Sequence, residues 1–128
     1  YYASRGLGDV YKRQILALSP WHPYLYDFLL TEPDQHQGFF ETENWIRQYA
    51  HDHNIPLYGS YDPICIKGLD ETDFFDGLHC KGSGIAKFFP GVPQVLQDVE
   101  NNTLPDPLSV TPRTTLPVDG EENVENVG

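Results

Sequence analysis

The chain has 128 residues and is strongly acidic, with 19 Asp and Glu against 8 Lys and Arg and a formal net charge of −11. Between Ile15 and Phe89 its basic residues, Arg47, Lys67, Lys81 and Lys87, are scattered, which argues against nucleic acid as a partner because phosphate backbones are bound by clustered cations. No apolar run reaches the roughly 18 residues of a membrane-spanning helix.

Ser4 to Gln14, SRGLGDVYKRQ, matches the in-frame translation of a transposase-based sequencing adapter. Residues 1–14 are therefore expected to be non-native and are set aside, as a fusion scar would be. On that expectation native sequence begins near Ile15. Any catalytic block or membrane anchor in the earlier part of the gene would lie upstream, which leaves membrane association and compartment open.

Ile15 to Ser19, ILALS, is a short apolar run stopped by Pro20 and reads as a buried strand of a parallel sheet. Trp21 and His22 follow in the turn PWHP. Ligands of open α/β sheets bind just beyond the carboxyl ends of strands, so both are candidate substrate-binding residues. For His22 the alternative is a turn histidine held between two prolines for structural reasons. Leu25, Phe28 and Leu29 lie at helical spacing and predict a short helix over Tyr24 to Thr31. EPDQHQG then reads as a loop.

A longer helix is expected from Phe39 to His53, with Phe39, Ile46, Tyr49, Ala50 and His53 on one face and Glu43 and Arg47 as an i,i+4 pair. Asn54 and Pro56 stop it. His51 and His53 diverge on such a helix and read as surface residues. Ile55 to Ser60, IPLYGS, is a second strand, and strand, helix, strand at this length implies a right-handed parallel unit. Asp70, Glu71 and Asp73 read as a solvated acidic loop in preference to a hard-cation site. Ser83 is expected to cap a helix over Gly84 to Phe89, and Pro93 to start another presenting Val92, Val95, Leu96 and Val99 on one side. From Asn101 to Gly128 the sequence has no aromatic residue and no periodicity, the composition of a disordered acidic tail.

The chemistry lies in DETDFFDGLHCKGSGIAKFF, residues 70–89, where Asp76 stands three residues before His79. A carboxylate against an imidazole fixes the ring's tautomer and stabilises its cation, as a general base acting on a hydroxyl requires. Cys65 and Cys80 flank this region, and spacing alone leaves both a disulfide and two free thiols open.

FFDGLHCKGSGIAKFF resembles the last sequence block of the SGNH (GDSL-type) hydrolase and acyltransferase superfamily, in which Asp-x-x-His opens a loop and a glycine leads into the final helix. NWIRQYAHDHNIPLYGSYDP is similar to the segment that precedes that block. Cys80 stands where proline often follows the histidine, and the superfamily's Gly-Asp-Ser block does not occur in this chain. The resemblance runs from Ile15 to about Val99. It implies that residues 15–100 are the C-terminal part of a flavodoxin-like three-layer αβα sandwich with parallel strands, and that its chemistry is ester hydrolysis or O-acyl transfer without cofactor or metal. In that scheme His79 is the base, Asp76 orients it, and an upstream serine attacks an acylated carbohydrate or lipid. The free nitrogen of His79 should then face an open cleft at the carboxyl ends of both strands, with His22 nearer to it than His51 or His53. A non-catalytic α/β binding or scaffolding domain with a surface Asp–His pair is the alternative, and the sequence upstream of Ile15 discriminates the two.

Deleting residues 1–14 should leave the unfolding free energy unchanged or raised. Denaturant titration checks this, and a loss above about 1 kcal/mol, the size of an ordinary packing or cap defect, would count against the adapter reading.

Overall fold

The computed structural model describes residues 14–116. It is a mixed α/β arrangement around a two-stranded parallel sheet. Strand β1 (Leu16–Leu18) pairs with β2 (Leu57–Gly59) in the register Leu16 to Leu57, Ala17 to Tyr58 and Leu18 to Gly59. Helix α1 (Pro23–Leu30) and the longer α2 (Gln37–Asp52) connect the strands. Helices α3 (Gly82–Phe88) and α4 (Val92–Asn101) follow the loop region after β2.

Local chemistry explains the boundaries. Pro23 opens α1, where a missing N–H costs nothing, and the His22 ring caps it by accepting the Tyr24 N–H at 3.1 Å on Nδ1. The expected EPDQHQG loop is instead a 3-10 turn (Pro33–His36) that runs directly into α2. Proline at its first turn supplies the helical φ that the composition disguised. Asn54 and Asn102 end α2 and α4 in left-handed conformations, with φ of 53° and 56°, which asparagine tolerates better than branched residues do.

Two apolar clusters form the core. One packs Leu18, Ala50, Ile55 and Leu57 between α2 and the sheet; the other packs Tyr26, Leu29, Leu30 and Phe40 between α1 and α2, and Tyr61 touches both. The inward face of α2 keeps Phe39, Ile46 and Ala50 of the expected set, packed on the two clusters, but not Tyr49 and His53. Phe40, Glu43, Arg47 and Ala50 are buried, whereas Tyr49 and His53 stack on the outside with Trp45. Helix α4 also differs from expectation, since Val95 is fully buried while Val92, Leu96 and Val99 remain about half exposed at 50%, 52% and 50%. Leu96 and Val99 border a groove of about 570 Å³ shared with Ile15, Pro56 and Leu104.

The expected disordered tail is corrected for residues 101–116; residues 117–128 lie outside the described residues. After α4 the chain returns across the body through a 3-10 turn (Pro107–Ser109), capped by the Asp106 carboxylate accepting the Leu108 N–H at 2.9 Å. Arg113 then grips Asp62, whose side chain is fully buried. Nε and a terminal guanidinium nitrogen reach the two carboxylate oxygens at 3.0 and 2.8 Å, and the Arg113 backbone N–H adds a third bond at 2.9 Å. Tyr26 donates its hydroxyl to the Arg113 carbonyl at 2.8 Å. Composition fails as a guide here because the segment is ordered by polar groups that need these partners, not by apolar burial.

Removing one side of a buried pair leaves the other charge uncompensated, so Arg113→Ala should lower the unfolding free energy by about 3 kcal/mol in urea titration. A change within about 0.5 kcal/mol of the parent, as at an ordinary surface site, would mean the segment is not anchored there.

Candidate functional site

Asp76 and His79 sit on a tight loop closed at its base by two backbone bonds. Phe74 pairs with Cys80 in an antiparallel bridge, the Phe75 N–H donates to the His79 carbonyl at 2.8 Å, and the Lys81 N–H donates to the Asp73 carbonyl at 2.7 Å. Phe74 is buried and anchors one limb. Between the limbs, Asp76 Oδ1 accepts the backbone N–H groups of Leu78 and His79, both at 2.9 Å. The same carboxylate places both oxygens 2.8 Å from His79 Nδ1. Asp76 thus shapes the turn and holds the ring at once.

The Leu78 N–H first, and then the His79 ring, keep the Asp76 carboxyl below its ordinary range. It is therefore ionised at neutral pH. An ionised carboxylate can only accept, so Nδ1 carries a proton, and in the neutral ring Nε2 then keeps the lone pair. This is the tautomer a general base needs. Nε2 makes no hydrogen bond among the described residues.

The loop docks at the carboxyl ends of the strands. Trp21 N–H bonds to the Tyr61 carbonyl at 3.0 Å, joining the segments that leave β1 and β2, and the next residue, His22, donates its N–H to the Gly77 carbonyl at 2.9 Å. Gly77 lies under Leu25, whose Cδ2 would be 3.1 Å from a side-chain carbon at that position. His22 is therefore bonded to the loop that carries His79. His51 and His53 lie at the end of α2 that feeds the amino end of β2.

Among the described residues the pair stands open to solvent, without the walls of the expected cleft. The side chains of His79 and Asp76 are 73% and 59% exposed, and two hollows among the described residues lie elsewhere, the α4 groove and one of about 330 Å³ beside Pro33, Gln37 and Thr114. No second layer of chain covers the loop among the described residues, so the ring meets solvent. Trp21 packs on Phe39 at 4.6 Å between ring centres, and the His22 ring lies against Tyr24 and Phe74 at 5.1 and 5.3 Å. Both proposed substrate contacts are thus near the site, with side chains engaged in packing and capping.

The acidic run before the loop has a structural task. Asp70 and Asp73 form a reciprocal capping box around a 3-10 turn (Glu71–Asp73), and Asp73 is buried. Asp73 also accepts from the Lys87 ammonium at 2.7 Å and from the Ser83 hydroxyl at 2.8 Å. The expected role of Ser83 as a helix cap is corrected by this bond. Its hydroxyl is turned to Asp73, and α3 starts two residues after Cys80 without a side-chain cap. The spacing Asp-x-x-Asp in 70–73 was the signal for the capping box. Lys87 could not be paired with Asp73 before α3 was placed. Cys65 and Cys80 are free thiols, both pushed upward in pKa chiefly by burial.

Comparison of this chain with protein-family models, curated proteins and solved structures finds no match.

Lys87 above all, helped by the Asp70 N–H and Ser83, depresses the Asp73 carboxyl to about 2. A depressed carboxylate contributes stability that is full above its unfolded value near 3.9 and disappears as pH falls through the folded value. Thermal midpoints should therefore drop between about pH 4 and about pH 2, and the drop should be smaller in Asp73→Asn. Equal acid sensitivity in the two proteins would show that Asp73 is not held in this way.

Proposed function

We propose that the chain is the C-terminal part of an SGNH-type esterase or O-acyltransferase, built on a three-layer αβα sandwich with parallel strands. One observation carries this reading: the Asp76 carboxylate lies 2.8 Å from Nδ1 of His79, on a loop bonded to the carboxyl end of a parallel strand pair, with Nε2 turned over to incoming groups. The parallel pairing of β1 and β2 supports the architecture.

In the proposed reaction an upstream serine hydroxyl attacks an acyl carbonyl while His79 Nε2 takes its proton. The imidazolium formed is stabilised by Asp76, which stays ionised. Collapse of the tetrahedral species expels the alkoxide, which takes the proton from Nε2. Water, or a second hydroxyl in the transferase case, then attacks the acyl-serine by the same route in reverse. Oxyanion donors come with the upstream part, since no step above neutralises the carbonyl oxygen. Acylated carbohydrates or lipids are the substrate class. The exposure of the pair, 73% and 59%, favours one rival, a binding or scaffolding domain in which Asp76 merely shapes a surface turn.

The test uses the intact protein with a chromogenic acyl ester. His79→Ala should lower turnover by several orders of magnitude with little change in stability, since a base acting with its nucleophile functions as one unit. The chain by itself should be inactive. An alanine variant that retains most of the parent rate would establish the structural reading instead.

A further inference from the structure

We propose that Asp73 is a positioning residue for the Asp76–His79 pair, fixing the loop's base from both sides so that the ring and carboxylate keep their register although both face solvent. This deepens the esterase reading and rests on it for its catalytic meaning.

The loop leaves the body at Asp73 and re-enters it at Lys81, and Asp73 holds both points. Its carbonyl accepts the Lys81 N–H at 2.7 Å, and its N–H donates to the Asp70 carbonyl at 3.1 Å. On the entering side, Oδ2 accepts the Asp70 N–H at 3.1 Å. On the returning side, Oδ1 accepts Ser83 at 2.8 Å and Oδ2 accepts Lys87 at 2.7 Å, both from α3. Lys87 also donates to the Gly68 carbonyl at 2.7 Å, tying in the chain before the turn.

Close packing makes the anchorage stiff. A side-chain carbon on Gly84 would lie 2.8 Å from Cys80 Sγ, 3.0 Å from Asp73 Cβ and 3.1 Å from the Asp73 carbonyl. Helix α3 can rest on the loop's base because position 84 has no side chain. The contrast with the pair is physical. Asp76 and His79 are in water, where an ion pair is worth little and screens readily, whereas the Asp73 side chain is 3% exposed and its lysine partner 34%. The rigid element is therefore the base, and the exposed pair inherits its geometry through six residues of chain. Misplacing a catalytic group by about 1 Å can cost about a hundredfold in rate.

The experiment reads the His79 ring directly, by nitrogen-15 chemical shifts and the downfield Nδ1 proton resonance of the full chain at neutral pH. The parent should show the Nδ1–H tautomer with that proton protected from exchange. Asp73→Asn and Lys87→Gln should lose the protected resonance while core amides such as those of Ala50 and Leu57 keep theirs, and Lys87→Arg should restore it. A role confined to stability would lower the melting temperature and leave the ring signal intact. That result, in Asp73→Asn or in the milder Lys87→Gln if the first does not fold, overturns the proposal.

Because this readout needs no substrate, it separates the two claims. In the intact protein, Lys87→Gln should lower kcat by about a hundredfold with little change in KM. Loss of the ring signal in Asp73→Asn and Lys87→Gln, together with no ester activity in the intact parent protein, would sink the esterase reading and leave the positioning role of Asp73 standing.

Discussion

The buried ion pair between Glu43 and Arg47 is the joint on which the rest of this fold depends. Both side chains are almost fully buried, at 2% and 3% exposure, with Arg47 Nε 2.8 Å from Glu43 Oε2. Removing two charges from water costs several kcal/mol each unless their remaining hydrogen-bonding positions are filled, and here they are. Glu43 accepts the Ser60 hydroxyl at 2.7 Å and the Tyr61 N–H at 2.8 Å; Arg47 donates to the Gly59 carbonyl at 2.7 Å and the Pro107 carbonyl at 3.0 Å. One pair therefore ties α2 to the exit of β2 and to the returning segment 102–116.

That joint explains the backbone at the strand's end. Gly59 has φ of 82°, and a side-chain carbon there would lie 2.2 Å from the Leu18 carbonyl oxygen. Only glycine lets the two strands part so closely while presenting its own carbonyl to Arg47. Ser60, Tyr61 and Asp62 then leave the sheet in fixed directions. Tyr61 receives the Trp21 N–H, which sets the course of the segment carrying His22 and, through Gly77, the loop of Asp76 and His79. The geometry at the candidate site thus descends from a charge pair on α2.

The molecule separates rigidity from exposure. Its polar anchors, Glu43–Arg47, Asp62–Arg113 and Asp73–Lys87, lie inside or at the edge of the core, while the Asp76–His79 pair lies in solvent. A base has to reach its substrate, and a water-exposed pair cannot order itself by its own attraction. The half-exposed Leu96 and Val99 at the α4 groove show the same economy on the apolar side. A sheet of two strands gives a helix only a narrow surface to cover, and parallel sheets are ordinarily covered on both faces.

The sequence by itself determined the elements with strong local signals. The two apolar runs stopped by proline or glycine became strands, the long amphipathic stretch became α2, and Asp76 and His79 met because a carboxylate three residues ahead of a histidine can cap the turn and reach Nδ1. These are short-range effects, carried within a few residues. Tertiary structure alone decided the rest. Glu43 and Arg47 were legible as an i,i+4 pair but their burial was not, and only the arrival of Ser60, Tyr61 and Pro107 made it affordable. Residues 101–116 looked disordered because composition records apolar surface, whereas Asp62 and Arg47 order the segment through polar partners distant in sequence. The missing cleft at His79 has the same origin: spacing can bring two side chains together, but what covers them depends on chain packed from far away.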